Sequence, residues 1–194
     1  MQTDSGITEI VQKLIEGNKR FRLSSQIHPN QNAERRKELT QGQKPFAVII
    51  GCSDSRVSPE VIFDQGLGDL FVIRVAGNII DAVALGSIEY AAEHLGTQLI
   101  MVLGHSKCGA VTATVQGGHA PGHILNIVDA IKPSVEKAKG HPGDLTDNTI
   151  RENVRRVTEQ IRNSTPILSE MYKNGKVDVV SAYYNIDTGE VSLL

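Results

Sequence analysis

The chain has 194 residues, enough for one well-packed domain and rather short for two. With 40% hydrophobic residues, 22% charged residues and a formal net charge of -2, it offers no electrostatic case for nucleic acid or an anionic membrane surface as a partner. No apolar stretch approaches the ~20 residues that a membrane helix needs. The opening Met1-Gln2-Thr3-Asp4 has neither the basic nor the apolar region of a signal peptide, so a cytoplasmic location is expected.

In chain order, Thr8 to Leu23 carries a helical stripe of Ile10, Val11, Leu14, Ile15 and Phe21, with Asp4 or Ser5 available near its start. A leading helix with no strand before it is expected to pack on a partner subunit. Gln31 to Gln41 reads as a second helix, so charged (Glu34, Arg35, Arg36, Lys37, Glu38) that it presents a solvated face. Lys44-Pro45 ends it. Phe46 to Ile50 shows no alternation and predicts a strand buried on both faces.

Ser58-Pro59-Glu60 opens a short helix, because proline suits a first helical turn. Leu70 to Ile73 predicts a second strand, and Asp81 to Leu95 a helix rich in small residues, closed by Gly96. Leu99 to Leu103 is a third strand, followed by a helix over Cys108 to Gln116 and a turn cluster from Gly117 to Gly122. Two more helices are expected, Ile124 to Lys139 and Asp147 to Asn174, with Pro133 and Pro166 kinking or dividing them. Val177 to Tyr184 and Val191 to Leu193 form a terminal strand pair around Asp187-Thr188-Gly189. Strands alternating with helices imply an α/β fold, a central mostly parallel sheet flanked by helices, with ligands bound beyond the C-terminal strand ends. No internal repeat or linker divides 1–194. Residues 1–42 read as an N-terminal helical arm and 43–194 as the α/β core of one catalytic domain.

The chemistry gathers at two strand ends. Gly51-Cys52-Ser53-Asp54-Ser55-Arg56 follows the first strand, and Gly104-His105-Ser106-Lys107-Cys108-Gly109 follows the third. Cys52, His105 and Cys108 are soft or borderline ligands of the kind Zn²⁺ takes, and three protein ligands leave a fourth position open, as at a catalytic zinc. Cys108 stands where a helix begins, which favours its thiolate. Gly51, Gly104 and Gly109 are expected to relieve crowding beside the ligands. Buried structural cysteines with a surface histidine are the competing reading from pattern alone. A disulfide is disfavoured, since two cysteines without a secretion signal make a poor framework.

Two thiolates cancel the formal charge of Zn²⁺, so another group must help organise hydroxide. Asp54 can accept a hydrogen bond from it, and Arg56 can hold Asp54 ionised through a bidentate pair. Asp54 and Arg56 as an ordinary turn-stabilising ion pair, or Asp54 as a fourth ligand closing the site, also fit these residues.

Together, Cys52-Ser53-Asp54-Ser55-Arg56 and His105-Ser106-Lys107-Cys108-Gly109 resemble the β-class carbonic anhydrases, over a match running from about Gln43 to Val111. The resemblance implies zinc, one ion per chain, on Cys52, His105 and Cys108. It implies Asp54 and Arg56 as the dyad that orients zinc-bound hydroxide, with Asp54 on the metal in a closed form. The reaction it implies is reversible hydration of CO₂ to bicarbonate and a proton, in a homodimer or a dimer of dimers (a homotetramer).

Gln43 matches a glutamine that donates a hydrogen bond to substrate. Phe71 and Tyr90 match pocket residues supplied across a dimer interface; without the resemblance Phe71 and Tyr90 would read as core. Gly109 completes the expected substrate-binding set. His94, four residues after Tyr90 on one helical face, is a candidate proton relay; its other reading is a helix-end residue favoured by the C-terminal dipole. Val75 stands where many relatives have Asn, and Ile49 where members with an inhibitory bicarbonate site have Trp. Hydrolysis of CS₂ or COS on the same site and a non-catalytic zinc protein are the rival functions. The intact Asp54-Arg56 pair and Gln43 argue against the second.

Overall fold

The computed structural model describes residues 5–194. Among them a five-stranded sheet runs in the order β2-β1-β3-β4-β5: β1 (Ala47–Gly51), β2 (Leu70–Arg74), β3 (Leu99–His105), β4 (Asp178–Asn185) and β5 (Glu190–Leu193). β1 to β4 are mutually parallel, and β5 closes one edge antiparallel to β4. Every residue of β1 and β3 is buried. Continuous apolar runs without alternation require cover on both faces, and the packing supplies it.

Successive side chains alternate between those faces. Val48, Ile50, Ile100 and Val102 face a cluster with Ala84, Ile88, Ala91 and Ala92 of α4 (Ala82–Glu93), Val154, Val157 and Ile161 of α7 (Leu145–Arg162) and Leu168 of α8 (Ile167–Lys173). Ala47, Ile49, Leu99, Met101 and Leu103 face the other cluster, with Ile7 and Leu14 of α1 (Ser5–Arg22), Val57, Phe63 and Ile62 of α3 (Pro59–Ile62). Fully burying an aliphatic side chain such as Leu14 contributes about 1.5–3 kcal/mol. The leading helix therefore packs on its own sheet. Asn18 of α1 secures it there, donating to the carbonyls of Ile62 and Gly189 and accepting from the Val191 amide. Asp4, one of the two expected helix starters, lies outside the described residues.

α2 (Ala33–Leu39) has no buried residue, as its charge density requires, and Asn32 caps it by accepting from the Arg35 amide. Asp81 caps α4 in the same way through the Ala84 amide. The two prolines behave differently. α6 (Ile124–Ala138) runs through Pro133 undivided, whereas the expected helix over Asp147 to Asn174 is two helices, α7 and α8, separated at Asn163 to Pro166. The residue before a proline is pushed out of the helical region, and Pro166 carries that effect in a stretch that already ends a helix.

A third cluster sits at the C-terminal strand ends. It joins Cys52, Cys108 and Tyr183 to Ile79, Val111 of α5 (Gly109–Gln116), Ile131 and Val135 of α6 and Ile150 of α7.

Candidate metal centre

Cys52 is the first residue after β1, His105 the last of β3, and Cys108 the cap residue before α5. Because β1 and β3 are parallel neighbours, with Gly51 opposite Leu103, their C-terminal ends deliver the two motifs to one place. The donor atoms of Cys52, His105 and Cys108 all lie within 4.8 Å of one another, and all three residues are buried.

The donors fit a borderline cation. His105 Nδ1 lies 2.9 Å from the Ser106 carbonyl, and since a carbonyl only accepts, Nδ1 carries the proton. The lone pair is then on Nε2, which is buried with no hydrogen-bond partner. A buried nitrogen without a partner is costly unless something accepts its lone pair, and the two sulfurs beside it are the natural company of Zn²⁺. Proximity to Cys108, with the amides of Gly77 and Asp54 donating to the Cys52 sulfur, draws the Cys52 thiol below its ordinary value against the opposing effect of burial. Proximity to Cys52, with burial, pushes the Cys108 thiol up.

Beside this group, Arg56 takes both carboxylate oxygens of Asp54, and the Arg56 amide also donates to Oδ1 at 3.0 Å. Arg56 holds Asp54 well below the usual carboxylate range. A second arginine, absent from the sequence reading, fixes the backbone under the dyad. Arg74 donates to the Cys52 carbonyl at 3.0 Å and to the Asp54 carbonyl at 2.6 Å. Arg56 reaches across to the Lys107 carbonyl at 3.2 Å, tying the two motif loops together. Lys107 itself has φ +56 and pairs with Asp187 on the β4–β5 turn at 2.5 Å. Nothing in the spacing of Arg74 or Lys107 marks these contacts, because both are made across the sheet.

Of the three glycines expected to relieve crowding, only Gly104 does so. A Cβ there would lie 2.3 Å from Val154 Cγ2, so its absence lets α7 press against β3 next to His105. At Gly51 a Cβ would meet only Pro59, at 3.9 Å, and at Gly109 nothing within 4 Å. Gly109 is exposed at the first turn of α5, immediately after Cys108.

The other expected site residues are elsewhere. Phe71 pairs with Val48, four residues before Cys52, hence roughly 13 Å back along the strand. Phe71 is partly buried on β2, at the edge of the sheet, and its ring lies 6.3 Å from that of Tyr90. Tyr90 is 48% exposed, so it is not core. His94 caps the end of α4, exposed, its ring 5.3 Å from Tyr90. Gln43 precedes β1 and is exposed in a shallow cleft shared with Arg35 and Leu39. Within one chain, then, Cys52, Asp54, Arg56, His105, Cys108 and Gly109 assemble at one end of the sheet, while Gln43, Phe71, Tyr90 and His94 do not join them. The surroundings of the thiols are apolar: Cys52 and Cys108 share one hydrophobic cluster with Ile79 and Val111, and Val75 and Ala110 pack against that cluster.

The chain is similar to known proteins. Residues 47–191 match the family model described as carbonic anhydrase. The chain is 41% identical to carbonic anhydrase 2 of Mycobacterium tuberculosis over 184 residues, 93% of this chain and 89% of that one. A carbonic anhydrase of Mycolicibacterium smegmatis is similar at the same identity and coverage. Among solved structures, a tetrameric β-carbonic anhydrase of Sordaria macrospora superposes with a TM-score of 0.77 at 27% identity, covering 84% of this chain and 87% of that one. The β-carbonic anhydrase CcaA does so at 0.75 and 30% identity, covering 95% and 94%.

Proposed function

Since this chain belongs to the carbonic anhydrase family, with the β-class fold, we propose that it hydrates CO₂ reversibly on a zinc ion held by Cys52, His105 and Cys108. The observation that carries the metal assignment is the buried, partnerless Nε2 of His105 converging with two sulfurs. Bound there, zinc supplies the Lewis acidity that turns water into a nucleophile near neutral pH.

The chain's own residues do the rest. Asp54 stays ionised because Arg56 neutralises it, so it accepts a hydrogen bond from the attacking water and turns an oxygen lone pair toward the substrate. Arg56 and Arg74 keep the carboxylate and its backbone from drifting. The wall of Val75, Ile79, Ala110 and Val111 suits a non-polar, linear molecule and offers it no competing hydrogen bond.

Residues 1–194 act as one catalytic domain in a homodimer or a dimer of dimers, in which Phe71 and Tyr90 of one subunit complete the pocket of the other and Gln43 donates a hydrogen bond to substrate. The aromatic pair at the β2 edge, Tyr90 half-exposed and Phe71 partly buried some distance from its own chain's thiols, supports that reading. So does the tetrameric state of the Sordaria macrospora relatives.

The test is stopped-flow CO₂ hydration on protein of measured metal content, with CS₂ and COS assayed on the same preparation. One zinc per chain with CO₂ hydration well above the buffer rate is expected. Stoichiometric zinc with hydration no faster than buffer would overturn the catalytic reading.

A further inference from the structure

Asn153 is linked to the Cys52 sulfur through one glycine. Gly77 donates its N–H to Cys52 Sγ at 3.2 Å and accepts at its carbonyl a 2.8 Å bond from Asn153 Nδ2. Both hydrogen-bonding groups of Gly77 are thus engaged, one on the candidate ligand and one on α7.

Gly77 lies in a 3₁₀ turn (Ala76–Asn78) with φ +72, and a Cβ there would come within 2.7 Å of Ile131 Cδ1 and 3.2 Å of Ala110 Cβ. Only glycine fits. Yet the freedom that lets glycine adopt this conformation also lets it leave, and a rotation at Gly77 would carry the N–H off the sulfur. Asn153 supplies the restraint that glycine lacks.

The orientation of the Asn153 amide is itself determined. Arg156 Nε lies 3.3 Å from Ser134 Oγ, which lies 3.3 Å from Asn153 Oδ1. Arginine only donates, so the Ser134 hydroxyl accepts from it and gives its single proton to Asn153 Oδ1. That leaves Nδ2 facing Gly77, whereas a flipped amide would set two carbonyl oxygens against each other. Ser134 and Asn153 are 1% and 0% exposed. Polar side chains buried this completely between two helices are disfavoured against apolar packing unless they secure something, and here the chain of bonds leads to the sulfur.

We propose that Asn153 is a positioning residue of the metal centre, holding Gly77 so that its N–H stays on the Cys52 sulfur. The bond fixes the direction of that ligand and draws electron density from it. Outer contacts of this kind typically change metal affinity about 10–100-fold. The inference rests on the zinc assignment above, and its first test is independent of metal.

In ¹⁵N-labelled, metal-free protein, Asn153→Leu is expected to move the Gly77 amide proton upfield and to speed its exchange with solvent by about tenfold or more. Ile131→Val loosens the packing against the same glycine without touching the bonds, and should leave that amide at its wild-type position. In cobalt-loaded protein, Asn153→Leu should shift the thiolate-to-cobalt absorption band to longer wavelength and release metal to a chelator about 10–100-fold faster, with Ile131→Val unchanged in both. If Asn153→Leu does not fold, Ser134→Ala takes its place, with smaller changes of the same sign. A folded variant with the wild-type Gly77 amide and the wild-type cobalt band overturns the proposal. A wild type that takes up no cobalt overturns the zinc assignment instead, and the Gly77 amide then decides alone whether Asn153 holds the glycine.

Discussion

Arg56 grips both carboxylate oxygens of Asp54, with Nε on Oδ1 at 2.9 Å and a terminal amino group on Oδ2 at 2.7 Å. The pair is two residues apart in sequence, and the arginine is also anchored on the Lys107 carbonyl of the other motif loop. A turn-stabilising ion pair would need no such second anchor. Asp54→Asn keeps the shape and removes the anion, so it should retain the metal and lose about 100-fold or more in kcat/KM. Arg56→Ala should lose about 10–100-fold. Unchanged CO₂ hydration in either, at equal metal content, would refute the dyad's role.

Cys108→Ser exchanges a thiol for a hydroxyl that binds zinc poorly. Metal and activity should disappear together, and the rise in Tm expected of the wild type with added zinc should be absent. Metal analysis and thermal melts with and without added zinc check this; full zinc with full turnover would remove Cys108 from the ligand set.

Gly104→Ala forces a methyl into space already taken by Val154, at 2.3 Å. Either α7 or β3 must shift, and overpacking of this kind costs about 1–3 kcal/mol. Denaturant unfolding should show that loss, with lowered metal retention because His105 is the next residue. Gly109→Ala meets open space at its Cβ and serves as the control of near-wild-type stability.

Asp64, after α3, gives a test of stability against pH. Burial opposes its ionisation, but Arg20 Nε at 2.6 Å and the amides of Ile27 and His28 outweigh burial and leave it below its ordinary value. A carboxylate depressed in the folded state stabilises above the unfolded pKa of about 3.9, and that contribution fades as pH falls through the folded value. Asp64→Asn should therefore cost about 1.5–3 kcal/mol at pH 7, and the gap to wild type should close below about pH 4. A gap that stays constant from pH 7 to pH 3 would contradict this assignment (the range brackets the unfolded pKa).

His94→Ala tests the proton path. Its ring stands 5.3 Å from Tyr90, exposed to solvent. If it carries the proton away, kcat falls, kcat/KM holds, and imidazole buffer at constant pH restores the rate. Wild-type kcat in the variant would leave His94 as a helix-end residue.

Much of this was legible in the sequence because it is local. The unbroken apolar runs at Phe46 to Ile50 and Leu99 to Leu103 dictate strands buried on both faces, and ligand types placed at their ends announce a metal. Asp54 and Arg56 sit in one short turn, so their pairing follows from spacing. What only the tertiary structure decided is long-range. That β1 and β3 are neighbours, which brings Cys52 to His105 and Cys108, depends on strand order rather than on either motif. Pro133 and Pro166 look alike in sequence, yet one is carried inside a helix and the other separates two. Gly51, Gly104 and Gly109 look equally suited to relieve crowding, yet only at Gly104 would a Cβ clash, because α7 crosses β3 there. Arg74, Gly77 and Asn153 reach the site through contacts across the sheet and between helices. Hydrophobic periodicity encodes which face of an element is buried, but not which polar group another element will set against it.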